Sequence, residues 1–334
     1  MNFRRSSWRR WRIYKIRAPF LSAANFIVGA HSCAQSQLKP QLSTFTQYYK
    51  ATIVHIKQLL DSATQQLAAV SDSARLDAEL LLAHALNKSR TYLFTWPQHE
   101  VDHAVQKSFA ELLANRLTGQ PVAHLIGARE FWSLNLQVTA DTLIPRPETE
   151  LLVETALVRL PKTKIEIADL GTGSGAIALA LASECPLWKI TATDKSLAAL
   201  TIAQRNAQRL NITNIEFIHS DWFAVLSAKK FHAIISNPPY VADNDAHLAQ
   251  GDVRFEPLSA LTSGADGLDD IRLLAQQAGN YLLAGGLLLV EHGYDQMLPV
   301  KTIFQENHFS AIEQLMDLNG KPRATLGVIG FTSG

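Results

Sequence analysis

One tetrapeptide, Asn237-Pro238-Pro239-Tyr240, combines groups that could orient a flat, weakly nucleophilic nitrogen. The lone pair of an amide or exocyclic amine nitrogen is delocalised, so such a nitrogen needs help to attack. The Asn237 side-chain oxygen and the Pro238 carbonyl could accept its two N–H bonds and stabilise the positive charge that develops. The prolines restrict the backbone, and Tyr240 offers an aromatic face. The segment therefore predicts catalysis by positioning, although a simple proline turn would have the same sequence.

A glycine-rich segment, Asp169 to Gly175, precedes the tetrapeptide and lies between a predicted strand and a predicted helix. Glycines there let the backbone turn tightly and approach a ligand closely. The spacing is Gly-x-Gly-x-Gly, which differs from the dinucleotide pattern, and no Walker lysine follows it. We therefore expect S-adenosylmethionine as cofactor. The predicted contacts in this segment are Gly171, Thr172, Gly173, Ser174 and Gly175.

Three further side chains could complete a cofactor site. Asp194 ends the next predicted strand, where a carboxylate can accept hydrogen bonds from ribose hydroxyls, or alternatively cap the following helix. Asp221 and Trp222 follow the third strand and could hold an adenine by its amino group and its ring face. Trp222 could instead be a packing residue. The register of all three with the glycine-rich segment favours the cofactor.

The elements that must position these residues alternate between strands and helices from about residue 164. Such alternation predicts an α/β fold with a mostly parallel sheet covered on both faces. Ligands of such sheets bind beyond the carboxyl ends of the strands, so the tetrapeptide and the glycine-rich segment should face one crevice. The expected strands are 165–170, 188–193, 215–219, 231–236, 286–291 and 325–331, and the expected helices are 149–160, 176–183, 198–210 and 269–283.

The residues before this region predict a small helical bundle and a hairpin. Over 52–120 we expect helices. The second helix would be capped by Asp72 or Ser73, and its apolar face would consist of Leu76, Leu80, Leu81, Ala83 and Leu86. A short third element would start at 92–94, and a fourth helix would cover 102–117. Residues 131–138 alternate like a strand, and their surroundings fit a β-hairpin linker. We therefore expect four parts: an extension (1–50), a helical substrate-recognition domain (51–120), the linker (121–146) and a methyltransferase domain (147–334).

Residues 1–50 differ in charge from the remainder. They hold nine Lys/Arg and no Asp or Glu, whereas the remainder holds 22 Lys/Arg and 30 Asp/Glu. The extension could be a transit peptide or an RNA-binding arm. It could also be a disordered segment without function, such as one produced by translation from an upstream start codon, and we favour this last alternative. The acidic body argues against a broad electrostatic contact with nucleic acid.

Bulk composition excludes several other classes. A hydrophobic fraction of 47% and a charged fraction of 18% are typical of a soluble globular protein. The two cysteines, Cys33 and Cys185, are far apart and show neither zinc spacing nor a disulfide framework, so we expect no metal. No apolar run is long enough to span a bilayer. We expect a cytoplasmic monomer.

Taken together, these motifs resemble those of class I methyltransferases that modify planar nitrogens, and more narrowly the HemK/PrmC family of release factor glutamine methyltransferases. Ile144–Glu150, Gly251–Pro257 and Glu291-His292-Gly293 resemble that family's pattern closely. The resemblance covers about residues 52–331 and leaves 1–50 outside. It implies a Rossmann-like domain with a seven-stranded sheet behind an N-terminal helical bundle.

The resemblance also implies a reaction and a set of contacts. The family methylates N5 of the glutamine in the Gly-Gly-Gln motif of peptide chain release factors. The glycine-rich segment, Asp194, Trp222 and Asn237 would contact the cofactor, and Asn237 through Tyr240 would contact the glutamine. Phe131 and Arg146 would line the entrance. Arg254 and Glu256 are expected to be structural supports.

Three alternatives remain open from the sequence alone. The same tetrapeptide could serve a nucleic-acid methyltransferase acting on adenine N6 or guanine N2. A sister activity would methylate a glutamine of a ribosomal protein. A third interpretation is a cofactor-binding adaptor without activity, against which the intact Asn237 argues.

Overall fold

The computed structural model of the chain describes residues 54–227 and 229–330, so the basic segment 1–50 lies outside the described residues. Five helices come first and confirm the helical character predicted for residues 52–120. They are α1 (Ile56–Leu67), α2 (Ala74–Leu86), α3 (Arg90–Thr95), α4 (His103–Leu117) and α5 (Val122–Ile126). Ser73 is the N-cap residue of α2, as predicted, and Asp102 is that of α4.

The apolar face predicted for α2 is partly wrong. Leu76 is 40% exposed, whereas Asp77 and Glu79 are buried. Asp77 accepts a charged hydrogen bond from Arg116 at 2.8 Å, and Glu79 accepts one from Arg90 at 2.7 Å. A buried carboxylate is tolerated when it is paired in this way, and a hydrophobic periodicity cannot reveal the partner.

The hairpin linker is confirmed, but its turn lies inside the segment predicted as one strand. Strand β1 (Ala128–Phe131) pairs antiparallel with β2 (Leu134–Gln137). Trp132 and Ser133 connect them with φ values of +51° and +61°. Two consecutive positive φ values are the signature of a two-residue turn whose twist matches the strands. The alternation over 131–138 therefore belongs to two short strands.

The rest of the chain alternates between strands and helices. A 3-10 turn over Pro147–Thr149 leads into α6 (Glu150–Arg159). The following elements are β3 (Glu166–Leu170), α7 (Ala176–Glu184), β4 (Lys189–Asp194), α8 (Leu197–Leu210), β5 (Ile215–His219), β6 (Phe231–Ser236), α9 (Asp269–Ala278), β7 (Leu282–Glu291), α10 (Met297–Glu306), β8 (Phe309–Met316) and β9 (Pro322–Ile329).

Seven of these strands form one sheet in the order β5-β4-β3-β6-β7-β9-β8. The first five run parallel, and β9 pairs antiparallel with both β7 and β8. This confirms the predicted mostly parallel, seven-stranded α/β fold. Since β3 lies beside β4 and β6, the loops after these three strands meet at the carboxyl ends of the central strands.

Three details of the predicted elements are wrong. Helix α9 ends at Ala278 instead of continuing to residue 283, because Leu282 already pairs with Phe231 in the sheet. Helix α10 and strand β8 were not predicted from the sequence. The last strand ends at Ile329, and residue 331 lies outside the described residues.

One loop, Gly251–Pro257, connects the helical region to the sheet domain. Arg116 of α4 reaches Asp252 at 2.7 Å, and Arg254 donates to the Thr118 carbonyl at 2.9 Å. The fully buried Glu256 carboxylate accepts from the Ile144 backbone N–H at 2.9 Å. The expected supporting role of this loop thus has concrete contacts. Across the described ranges, no helix has the length and apolar character needed to cross a membrane.

Candidate active site

Two cavities adjoin at the carboxyl edge of the sheet. The first, here called the glycine-loop cavity, has a volume of about 260 Å³ and is lined by residues that include Gly171–Ser174, Asp194 and Trp222. The second, the tyrosine cavity, has a volume of about 270 Å³ and its lining includes Tyr240. Asn237 lines both cavities. The fold thus brings the tetrapeptide and the glycine-rich segment together.

The glycine-rich segment turns sharply between β3 and α7. Gly171, Gly173 and Gly175 have φ values of +73°, +55° and +87°, a region that side chains disfavour. A Cβ on Gly175 would lie 2.9 Å from the Leu179 side chain of α7 and 3.2 Å from the Ala203 Cβ of α8, so this glycine allows the two helices to pack closely. A Cβ on Gly173 would meet no atom within 4 Å, so this stretch of backbone is open to a ligand. Gly175 itself lines neither cavity.

Asp169, which the sequence analysis did not name as a site residue, anchors the glycine-rich segment. Its Oδ2 accepts from the Thr172 hydroxyl at 2.6 Å and from the Ala178 N–H at 3.1 Å. Complete burial raises the pKa of Asp169 to about 7. The two hydrogen bonds hold the beginning of α7 and the loop in one conformation, so Asp169 shapes the cavity from beneath.

Asp194 holds the glycine-rich segment from the neighbouring strand. Its two carboxylate oxygens accept from the Gly173 N–H at 2.9 Å and from the Ser196 N–H at 2.8 Å. Burial raises the pKa of Asp194, and these two N–H groups oppose the rise. A carboxylate offers about four acceptor positions. Two positions therefore remain for a ligand in the glycine-loop cavity.

Trp222 packs over the glycine-rich segment. A Cβ on Gly171 would come within 3.3 Å of the indole ring, and the indole Nε1 donates to Asp270 Oδ1 at 3.1 Å. Trp222 adopts a positive φ of +46°, which turns the chain sharply after β5. Asp221 is exposed and also lines the glycine-loop cavity. Asp221 and Trp222, the two residues predicted to hold an adenine, thus both line the glycine-loop cavity.

Asn237 follows β6 with its side-chain amide in a defined orientation. Its Nδ2 donates to the Thr149 hydroxyl at 3.1 Å, while its buried Oδ1 has no hydrogen-bond partner among the described residues. A buried acceptor without a partner costs about 1–3 kcal/mol unless a ligand satisfies it. Pro239 lines the glycine-loop cavity, and Pro238 lines the tyrosine cavity. Asn237 Oδ1 is therefore a free acceptor where the cavities meet.

Tyr240 is fixed by a buried carboxylate. Its hydroxyl donates to Glu291 Oε1 at 3.2 Å. Burial, with the nearby Glu291 charge, raises the pKa of Tyr240, so the hydroxyl stays protonated. Burial likewise raises the pKa of Glu291 to about 7. The ring can therefore serve as a neutral aromatic wall of the tyrosine cavity.

The two entrance residues expected from the resemblance are placed differently. Arg146 lines the tyrosine cavity and pairs with Glu256. Phe131 is only 1% exposed, belongs to the hydrophobic core and lines neither cavity. The pairing of β1 with β2 turns this ring inward, and alternation in a sequence does not say which face is the core.

Several lining residues were not predicted from the sequence. Residues 140–143 and Pro145, between the hairpin and α6, line the glycine-loop cavity, and so do Ser259 and Ala260. These residues form no motif of fixed spacing, and the polar ones among them, Asp141, Thr142 and Ser259, are of types that are common in loops. They lie next to the segments Ile144–Glu150 and Gly251–Pro257, and this proximity was the one indication in the sequence that they belong to the site.

Comparisons with known protein families match two parts of the chain. Residues 58–127 match the PrmC N-terminal domain, and residues 147–254 match the methyltransferase small domain. The first range covers most of the helical region, and the second contains the glycine-rich segment and the tetrapeptide.

Similar whole proteins share one name. The release factor glutamine methyltransferase of Coxiella burnetii is 48% identical over 272 residues, which cover 81% of this chain and 98% of that protein. The release factor glutamine methyltransferase of Pseudomonas aeruginosa is 52% identical over 77% of this chain and 93% of that protein. Among solved structures, the hMettl16 catalytic domain has a TM-score of 0.50 at 15% identity, covering 67% of this chain and 83% of that chain. That likeness concerns the fold alone.

Proposed function

The chain belongs to the family of release factor glutamine methyltransferases, and we propose that it carries out that family's reaction on a release factor. It transfers a methyl group from S-adenosylmethionine to the side-chain amide nitrogen, N5, of the glutamine in the factor's Gly-Gly-Gln motif. The observation that carries this proposal is the free, buried Oδ1 of Asn237 at the junction of two cavities. The glycine-loop cavity then takes the cofactor, and the tyrosine cavity takes the glutamine side chain.

The residues around the glycine-loop cavity fit S-adenosylmethionine. Asp194 retains acceptor positions for the ribose hydroxyls, and the open backbone at Gly173 allows close approach. The Trp222 indole and the Asp221 carboxylate suit an adenine ring and its amino group. The other cofactor contacts that we propose are Gly171, Thr172, Ser174 and Asn237, whereas Gly175, which was also predicted, supports the segment by close packing.

The residues around the tyrosine cavity fit the glutamine side chain. Asn237 Oδ1 and the Pro238 carbonyl accept hydrogen bonds from its two N–H groups and turn the nitrogen toward the glycine-loop cavity. Tyr240 and Arg146 stand at the wall beside the flat amide, and Pro239 borders it from the glycine-loop cavity. Phe131 supports the hairpin from within the core instead of contacting substrate.

The chemistry needs positioning more than it needs a base. Bound S-adenosylmethionine supplies an electrophilic methyl group. Asn237 Oδ1 and the Pro238 carbonyl hold the amide in line and stabilise the positive charge on its nitrogen as the bond forms. The amide proton becomes acidic only after that bond has formed. Holding two reactants in this geometry can lower a barrier by about 7–11 kcal/mol in favourable cases.

A labelling experiment tests the activity. Purified protein, labelled S-adenosylmethionine and a release factor should yield a labelled factor, and changing the motif glutamine of the factor to alanine should remove the label. Label on rRNA, DNA or a ribosomal protein at a comparable rate would contradict the proposal.

We further propose that the protein acts as a cytoplasmic monomer without direct nucleic-acid contact. The excess of acidic residues after position 50 supports the last point. Sedimentation of the protein with and without RNA tests both the monomer and the absence of binding.

The domain limits remain predictions: 1–50, 51–120, 121–146 and 147–334. If residues 1–50 have no role in the reaction, their deletion should leave the rate of transfer to a release factor unchanged. A loss of more than about 10-fold in that rate would instead indicate a functional arm.

A further inference from the structure

The segment Glu291-His292-Gly293, at the end of β7, contacts the tetrapeptide through Tyr240 but lines neither cavity. His292 is completely buried, and its two ring nitrogens lie 2.9 Å from the Thr325 hydroxyl and 2.8 Å from the Gly293 carbonyl. Thr325 belongs to β9, the neighbour of β7 in the sheet. The backbone at Gly293 is therefore held against the sheet and is a fixed support for the groups that it contacts.

Gln296 connects this support to the tetrapeptide. Its half-buried side chain accepts from the Gly293 N–H through Oε1 at 2.8 Å. Its Nε2 donates to the Tyr240 carbonyl at 2.9 Å and to the Asp266 carbonyl at 3.3 Å. A backbone N–H only donates and a carbonyl only accepts, so these three partners allow a single orientation of the Gln296 amide.

Gly267 confines the Tyr240 carbonyl from a second side. A Cβ on Gly267 would lie 2.3 Å from the Tyr240 carbonyl oxygen and 2.9 Å from the carbonyl carbon, and the φ of Gly267 is +75°. Both the close approach and the backbone conformation therefore require glycine at this position. The Tyr240 N–H donates to the Leu261 carbonyl at 3.2 Å. Both backbone groups of Tyr240 thus have fixed partners.

The position of this carbonyl affects the rest of the tetrapeptide. The Tyr240 hydroxyl donates to Glu291 at 3.2 Å, so the residue is held by Glu291 at the tip of its ring and by Gln296 at its backbone. Pro238 and Pro239 precede Tyr240, and their rings hold φ at about −65°. Because this stretch is stiff, a displacement of Tyr240 also displaces the Pro238 carbonyl.

We propose that Gln296 is a positioning residue that fixes the Tyr240 carbonyl and thereby aims the Tyr240 ring and the Pro238 carbonyl at the substrate. Gln296 lines neither cavity, so it acts through Tyr240. The geometry stands on the hydrogen bonds that its side chain makes, whereas the kinetic consequence rests on the proposed function.

Gln296→Met keeps the length of the side chain and removes its donor and its acceptor. We expect kcat for transfer to a release factor to fall about 2–10-fold, the equivalent of one hydrogen bond. The Kd for S-adenosylmethionine should stay within about 2-fold, because the glycine-loop cavity is untouched. Gln277→Met changes a half-buried glutamine of α9 that lines neither cavity. It is the matched control and should leave kcat unchanged.

Gly267→Ala perturbs the same carbonyl without changing Gln296. The added Cβ must displace the Tyr240 carbonyl, so kcat should fall at least as far as in Gln296→Met. Gly320→Ala is the matched control, because Gly320 has nearly the same φ, +74°, but an added Cβ there would meet no atom within 4 Å. It introduces the same backbone strain and should leave kcat unchanged.

A carbonyl resonance measures the geometry without any reaction. Tyr240-Val241 is the single Tyr-Val pair of the sequence, so protein labelled with ¹³C′-tyrosine and ¹⁵N-valine gives one carbonyl–amide correlation. A carbonyl carbon resonates upfield when it loses a hydrogen bond. This signal should therefore move upfield in Gln296→Met and stay in place in Gln277→Met.

The outcomes separate this inference from the proposed function. An unmoved signal in Gln296→Met would overturn the inference, and so would a moved signal with the kcat of the wild type. If the wild type transfers no methyl group, the proposed function fails, while the carbonyl signal still decides whether Gln296 holds Tyr240. Where Gln296→Met does not fold, Gly267→Ala compared with Gly320→Ala gives the same two measurements.

Discussion

Removal of the Glu256 carboxylate should destabilise the linker that borders both cavities. The Glu256 side chain is fully buried and accepts from the Ile144 N–H at 2.9 Å and from Arg146. Ile144 is itself only 5% exposed, so water cannot easily replace the lost acceptor. Glu256→Ala therefore perturbs a buried donor, whereas the Arg146 side chain, 29% exposed, can be rehydrated.

These contacts set the expected size of the effect. A buried hydrogen bond to a charged group contributes about 1.5–3 kcal/mol. The partly exposed pair with Arg146 adds about 0–1 kcal/mol. Glu256→Ala should therefore lower the free energy of unfolding by about 1.5–4 kcal/mol. Glu256→Gln keeps an acceptor for Ile144 and should cost about 1 kcal/mol, because it loses mainly the charge.

Urea unfolding of each variant measures this free energy. Glu313→Ala is the matched control, because Glu313 pairs with Arg159 where both side chains are more than 40% exposed, and it should cost about 0–1 kcal/mol. Glu256→Ala should also weaken S-adenosylmethionine binding by about 2–10-fold, since the linker must then be ordered on binding. If Glu256→Ala costs no more than Glu313→Ala, the supporting role of this carboxylate is refuted.

Three further predictions concern the site itself. Asn237→Ala should reduce methyl transfer about 100-fold or more while calorimetry shows a Kd for S-adenosylmethionine within about 3-fold of wild type; a loss of folding instead would make its role structural. Trp222→Phe removes the hydrogen bond to Asp270 and should weaken cofactor binding by about 2–10-fold, as expected for one hydrogen bond; unchanged affinity would remove the indole from the site. Because burial raises the pKa of Asp194, and because the ionised form is the better acceptor, affinity should fall as pH decreases from 7, beginning at higher pH than for an ordinary aspartate. Asp194→Asn should show weaker binding without this pH dependence, and an identical pH profile would contradict the assignment.

Much of the fold followed from local patterns. The β3 to α7 turn was predictable because three glycines between a strand and a helix permit backbone conformations that other residues disfavour. The parallel sheet was predictable because short apolar strands alternate with amphipathic helices. The boundary of α9 was not predictable, since Leu282 continues an apolar run and only its pairing with Phe231 assigns it to a strand.

Burial of charge was beyond the reach of sequence patterns. Asp77 is buried on α2 because Arg116, 39 residues later, comes within 2.8 Å. Leu76, which the periodicity assigned to the core, is exposed instead. A helical pattern identifies a face, but the partner that compensates a buried charge comes from another part of the chain.

The sequence by itself determined the chemistry of the tetrapeptide and the type of cofactor loop, because both depend on residue types at fixed local spacing. Tertiary structure decided how those residues are oriented. Thr149 and Asn237 are 88 positions apart and meet through one hydrogen bond, and Glu291, at the end of β7, accepts from the hydroxyl of Tyr240, 51 positions earlier. The preference of an amide for one orientation depends on such distant partners, so only the folded chain defines which of its atoms is free to bind substrate.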